Sequence, residues 1–202
     1  MLIVVSYPTV IENEAMLINS LFDEGMELFH LRKPNSTKEE IKDLLAKTKP
    51  NCRHKIALHQ YHELVDEFKM RRLHFTEVKR KSISEEQLIK LKKMNYSLST
   101  SIHTIKEYQN ISLYFDYVFF GPLFNSISKQ GYATSIARDF IFPTEDNHPK
   151  VIAIGGIEVG NMEQAMKMNF NGIAVLGTIW QQPEKSIQQF KVLKETWDQR
   201  GL

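Results

Sequence analysis

Short apolar runs alternate with amphipathic stretches along the whole chain. Residues 2–6 read as a strand, and an amphipathic segment follows at 12–24. The next pair is a strand at 26–31 and a helix at 37–49, with Ser36 or Thr37 as its N-cap. Residues 55–58 form a third strand, 61–69 a short helix and 72–75 a fourth strand. The signal is sharpest at 84–94, where Ser84 caps a helix and Gln87, three residues on, completes a capping box. A strand at 96–101, a short helix at 104–109 and a strand at 117–120 come next. Residues 134–149 are the least regular. The chain then closes with strands at 151–154 and 172–176 and helices at 161–168 and 183–199.

Near-continuous apolar strands alternating with helices predict parallel pairing, with the sheet buried on both faces. Eight such units are the number that closes a (β/α)8 TIM barrel, typically about 250 residues long. At 202 residues the chain would be an α/β barrel of minimal length, a single domain over 1–202. An open doubly wound sheet is the competing architecture. No G-x-G-x-x-G follows the first strand, which weighs against it.

Composition narrows the function classes. With 26 basic against 24 acidic residues the net charge is +2, which gives no electrostatic case for nucleic acid or a membrane surface. The single cysteine, Cys52, excludes an internal disulfide and points to a reducing, cytoplasmic setting. No signal peptide or membrane span is read from the sequence. The partners expected are small molecules, and a homo-oligomer stays open.

In a parallel barrel the chemistry sits at the C-terminal strand ends. Gly155-Gly156 follows the seventh strand and Gly177-Thr178 the eighth. Glycines there let backbone N–H groups approach a phosphate, though tight turns alone would also select them. Arg32 ends the second strand with a planar fork suited to phosphate oxygens, although such an arginine is more often a surface ion pair. After the sixth strand and its Gly121-Pro122 break, Ser126, Ser128 and Lys129 offer two donors and a point charge. Ser101 ends the fifth strand with a hydroxyl that can bind phosphate or a leaving group, and His103 can serve chemistry or cap the next helix. His59 and His62 lie one helical turn apart, with His54 nearby. No third ligand is fixed by spacing, so no metal site is read from them. Met162, Met166 and Met168 read as a core stripe. Trp180 is placed to line a pocket mouth, and Trp197 to pack the last helix.

His30-Leu31-Arg32, Ser101-Ile102-His103, the run from Phe120 to Lys129, Ala153-Ile154-Gly155-Gly156-Ile157 and Gly172-Ile173-Ala174-Val175 carry a resemblance. In order and spacing they resemble the thiamine phosphate synthase/TenI-like family across nearly the whole chain. The resemblance implies a (β/α)8 barrel that joins a phosphorylated pyrimidine, as its diphosphate, to a thiazole phosphate and releases pyrophosphate with Mg²⁺. It implies that Arg32, Ser126, Ser128 and Lys129 are diphosphate ligands. Ser101 would contact the departing pyrophosphate, so Ser101, Lys129 and Arg32 form the expected catalytic set. His30 would stand where the family has glutamine, and Gly155, Gly156, Gly177 and Thr178 would cradle the thiazole phosphate, with glycine at 177 in place of the family's serine. The resemblance places an Asn-Asp pair, whose aspartate binds Mg²⁺, at His59-Gln60 and a second Mg²⁺ aspartate at Lys79, so the expected ligands of that ion are not retained. Lys79 would lend one charge in the ion's place, and Lys33 sits beside the family's second basic position, which is Pro34 here. The resemblance leaves two alternatives open. One is a thiazole tautomerase, whose histidine position is Pro122. The other is a non-catalytic binder of thiazole phosphate or thiamine phosphate.

Overall fold

The computed structural model describes residues 1–124, 136–137 and 139–199. Eight parallel strands close into a barrel in sequence order. They are β1 (Leu2–Val5), β2 (Leu28–Leu31), β3 (Ile56–Leu58), β4 (Arg72–Phe75), β5 (Ser97–Ile102), β6 (Tyr117–Phe120), β7 (Lys150–Ile154) and β8 (Gly172–Val175). Closure is made by β1 against β8, with Leu2 opposite Ile173 and Val4 opposite Val175. The (β/α)8 barrel expected from the apolar cadence is the fold observed.

The helices are α1 (Glu14–Asp23), α2 (Lys38–Lys47), α3 (Leu64–Glu67), α4 (Glu77–Ser82), α5 (Glu85–Lys93), α6 (Ile105–Gln109), α7 (Val159–Lys167), α8 (Gly177–Trp180) and α9 (Ser186–Asp198). Capping follows the sequence. Thr37 accepts from the Glu40 N–H and Ser84 from the Gln87 N–H, both as full capping boxes. The region expected as one helix over 183–199 begins with a 3-10 turn at Pro183–Lys185. Two short helices, α4 and α8, were not expected.

Alternation along the strands sorts the core into two shells. Leu2, Val4, Phe29, Leu31, Leu73, Phe75, Leu98 and Ile102 face outward, beneath the helices. Ile3, Val5, Leu28, Ala57, Tyr117, Phe119, Ile152 and Ala174 fill the barrel. Between β6 and β7 aromatic rings cover the sheet: Phe142 packs on Phe120, Tyr108 and Phe170 with centroids 4.9–5.4 Å apart. The Phe142 N–H and C=O are tied to Met168 and Asn169. Met162 and Met168 are buried, as a core stripe requires, and Trp197 is on the buried face of α9. No helix among the described residues is long and apolar enough to cross a membrane.

Candidate active site

The barrel interior is polar on one side. β7, β8 and β1 contribute Ile152, Ala174, Ile3 and Val5, whereas β2 to β6 contribute His30, His74, Ser99, Ser101 and Tyr117, joined by His59 just after β3. His30 Nδ1 lies 2.9 Å from His59 Nε2, and His30 Nε2 lies 2.7 Å from the Tyr117 hydroxyl. His74 reaches Ser99 Oγ at 3.0 Å through Nδ1 and Ser101 Oγ at 3.2 Å through Nε2. The His59 and His74 rings stack with centroids 3.9 Å apart, and Phe119 closes over His30 at 4.6 Å.

Burial sets the charge state of this group. Desolvation holds His30 and His59 well below the usual imidazole range, helped by the fields of the other histidines and of arginine. His74 is lowered to about 3, first by burial, then by His62 and Arg32. Burial raises the Tyr117 hydroxyl to about 12. The three imidazoles are therefore neutral, and Tyr117 keeps its proton.

The network rises to the mouth at Ser101, a partly buried side chain at the C-terminal end of β5. Across the opening, Arg32 is exposed, and its field reaches both His59 and His74. Its backbone is fixed by Ser6, whose hydroxyl accepts from the Arg32 N–H at 2.8 Å and donates to its carbonyl at 2.9 Å. Arg32 just after β2 and Ser101 at the end of β5 thus both stand on the C-terminal face of the barrel. Lys33 is buried in an ion pair with Glu14 at 2.6 Å and donates to the Thr9 carbonyl. It offers nothing to a ligand at the mouth.

The rim continues through backbone contacts. His103 Nδ1 donates to the Gly121 carbonyl at 2.7 Å, tying β5 to β6. Its own N–H joins that of Thr104 in bonding Glu107 at the start of α6. Gly121-Pro122 is a cis peptide bond. Beyond it, Leu123 N–H bonds Ile154 O and Phe124 N–H bonds Gly155 O. Gly155 and Gly156 have φ of 101° and 65°. A Cβ at 155 would lie 2.8 Å from Pro122 Cα, so packing as well as conformation requires this glycine. At Gly177 the nearest atom to a Cβ is 3.6 Å away, so packing does not demand glycine there. Thr178 is half-buried, with its hydroxyl proton donated to the Ile157 carbonyl.

Lys79 is exposed in the first turn of α4, where its charge helps to lower His62 to about 4 after burial. His62 itself bonds the carbonyls of Leu58 and His74. Trp180 does not line the mouth. It is buried against Phe29 and donates Nε1–H to the Val5 carbonyl at 2.7 Å. Trp180→Phe should strand that carbonyl and cost about 1–3 kcal/mol, read as a lower urea midpoint; an unchanged midpoint would refute the role. Ser126, Ser128 and Lys129 lie outside the described residues.

The side chains beyond β3 and β4 stand where the resemblance implies Mg²⁺. A hard dication asks for carboxylate oxygens. His59 is an imidazole, Gln60 donates its amide to the Lys33 carbonyl, and Glu77 is paired with Lys81 on the surface of α4. Among the described residues this set does not fit Mg²⁺.

A closed (β/α)8 barrel with an arginine, a serine and tight glycine turns on its C-terminal rim belongs among barrels that carry their sites on that face. The family model described as thiamine monophosphate synthase matches residues 1–179, and the chain belongs to this family. A thiamine-phosphate synthase from Staphylococcus saprophyticus is 31% identical over 85 residues, which span 41% of this chain and 40% of that protein. A thiamine phosphate pyrophosphorylase from Bacteroides thetaiotaomicron superposes with a TM-score of 0.76 at 27% identity, covering 98% of both chains. The corresponding Pyrococcus furiosus structure gives 0.75 at 16% identity over 98% of this chain and 95% of that one, a likeness of fold.

The histidine network extends beyond the sequence reading, which singled out His30 and Ser101 but not His74, Ser99 or Tyr117. Their signal is period-two alternation. In Arg72-Leu73-His74-Phe75, and in Ser97-Leu98-Ser99-Thr100-Ser101-Ile102 apart from Thr100, polar residues alternate with apolar ones, and His74, Ser99 and Ser101 share one face.

Proposed function

We propose that this chain couples a pyrimidine methyl diphosphate to a thiazole phosphate, forming thiamine phosphate and releasing pyrophosphate. The observation that carries the reading is the family match over residues 1–179, and the places of Arg32 just after β2 and Ser101 at the end of β5 support it. In the reaction the bond from the methylene carbon to the diphosphate breaks. Its electron pair leaves on pyrophosphate, and the thiazole takes its place on carbon. Arg32 would hold the diphosphate through its fork, while the Ser101 hydroxyl would donate to the oxygen that gains charge. His74, bonded to Ser101 Oγ, orients that hydroxyl. The turns at Gly155-Gly156 and Gly177 would receive the thiazole phosphate.

Incubation with both phosphorylated substrates and a divalent cation is expected to yield thiamine phosphate. Arg32→Ala should lower kcat/KM about 100-fold, the loss of one charge-assisted bidentate contact. No product above a no-enzyme control would overturn the coupling reading. Thiazole phosphate binding without turnover would favour the binder instead.

A further inference from the structure

We propose that His30, His59 and His74 form a binding site for a late first-row dication such as Zn²⁺, inside the polar side of the barrel and just below its mouth. Among the described residues, one ring nitrogen from each of the three lies within 4.8 Å of the other two. All three are buried, at 0%, 5% and 1% exposure. Imidazoles select zinc, copper, nickel and cobalt, whereas Mg²⁺ selects oxygen.

The outer contacts of His30 and His74 suit ligation. A metal-bound histidine needs its other ring N–H held by an acceptor, which fixes tautomer and ring plane. If His30 binds through Nδ1, its Nε2–H is already aimed at the Tyr117 hydroxyl. His74 has a serine oxygen at each nitrogen, so either can coordinate while the other donates to Ser99 or Ser101. His59 would bind through Nε2, which now shares a hydrogen with His30 at 2.9 Å. An ion between these nitrogens would push them to roughly 3.3 Å apart, since Zn–N bonds are about 2.0–2.1 Å. The stacked His59 and His74 rings must tilt apart for their lone pairs to converge. Rotation about an sp³–sp² χ2 bond meets only a broad, shallow preference. Three histidines leave a fourth position, and the neighbouring polar groups at the mouth are Ser101 and the Arg32 charge.

The test uses the full chain, freed of metal by chelator. Zn²⁺ is titrated by calorimetry, and Co²⁺ by its visible d–d absorption, which intensifies in a tetrahedral or five-coordinate nitrogen site. One equivalent per chain is expected, with a rise in melting temperature on Zn²⁺ addition. His59→Gln and His74→Gln should each weaken Zn²⁺ about 100-fold or more, and Tyr117→Phe about 10-fold, because it removes only an outer contact. His54→Gln, on the exposed surface, should leave affinity unchanged. Where a ligand variant does not fold, Tyr117→Phe carries the test. Absence of an intense Co²⁺ band in the wild type would overturn the proposal, and so would equal Zn²⁺ affinity in wild type and Tyr117→Phe. The histidines would then be a hydrogen-bonded core alone. Because the readout is metal binding, the result is independent of whether coupling activity is found.

Discussion

Lys33→Met is expected to cost about 3–5 kcal/mol of stability, although methionine nearly matches the aliphatic stem it replaces. Lys33 is 1% exposed, with Nζ 2.6 Å from Glu14 Oε2 and bonded to the Thr9 carbonyl. Glu14 is 5% exposed, and its second oxygen, Oε1, has no hydrogen-bond partner. Removing the ammonium therefore leaves a buried carboxylate with no cation, which is far costlier than deleting both charges. The pH dependence follows from direction. Burial raises the Glu14 carboxyl above its usual value against the pull of Lys33, and losing Lys33 raises it further. A raised acid pKa means that the folded chain holds the proton more tightly than the unfolded one. Stability then falls as pH climbs from the unfolded value of 4.5 through the folded value. The deficit of Lys33→Met relative to wild type should be larger at pH 8 than at pH 5 in urea unfolding. Glu14→Gln combined with Lys33→Met should recover part of it. A wild-type midpoint for Lys33→Met at pH 8 would refute the pair.

That pair also shows where sequence reading stops. Arg32 and Lys33 are adjacent and look alike as phosphate ligands. At the end of β2 neighbouring side chains point to opposite sides, so one reaches the mouth while the other turns in under α1. The barrel itself was legible because an apolar run before each amphipathic segment is a strong, repeated pattern. α4 was not, because Glu77–Ser82 holds a single apolar residue, Val78, and that one is 79% exposed. α8 was hidden because its four residues open on Gly177-Thr178, which reads as a turn after β8, and are too few to show a helical period.

The candidate site was legible by half. Residues that end strands, such as Arg32 and Ser101, could be placed on the rim from strand order alone. The histidine network could not, since His30, His59 and His74 are far apart in sequence and meet only when β2, β3 and β4 lie side by side. The register does this: His30 stands opposite Ala57, two residues before His59, and Ala57 opposite Arg72, two before His74. A step of two along each strand keeps the same face, so the pairing of β2, β3 and β4 brings the three rings to one face.

Gly121→Ala should be among the most damaging single-methyl additions, at about 3 kcal/mol or more. A Cβ at 121 would stand 2.0 Å from the Ile154 carbonyl oxygen and 2.9 Å from its Cγ2. Neither side can yield cheaply. Ile154 O accepts from Leu123 N–H at 2.9 Å, and the Gly121 carbonyl accepts from His103. One residue on, Gly155 is pressed against Pro122. The ends of β5, β6 and β7 thus interlock, and a methyl group at 121 must break the Leu123–Ile154 bond or push β7 outward. Gly160 in α7 is the control, because a Cβ there meets nothing within 4 Å. Gly160 lies in the first turn of α7, so Gly160→Ala should raise stability by only about 0.5 kcal/mol, the low end of the glycine penalty in helices. Urea midpoints of the two variants should therefore move in opposite directions. A drop of equal size in both would mean that loss of glycine, not the contact with Ile154, is what the barrel feels.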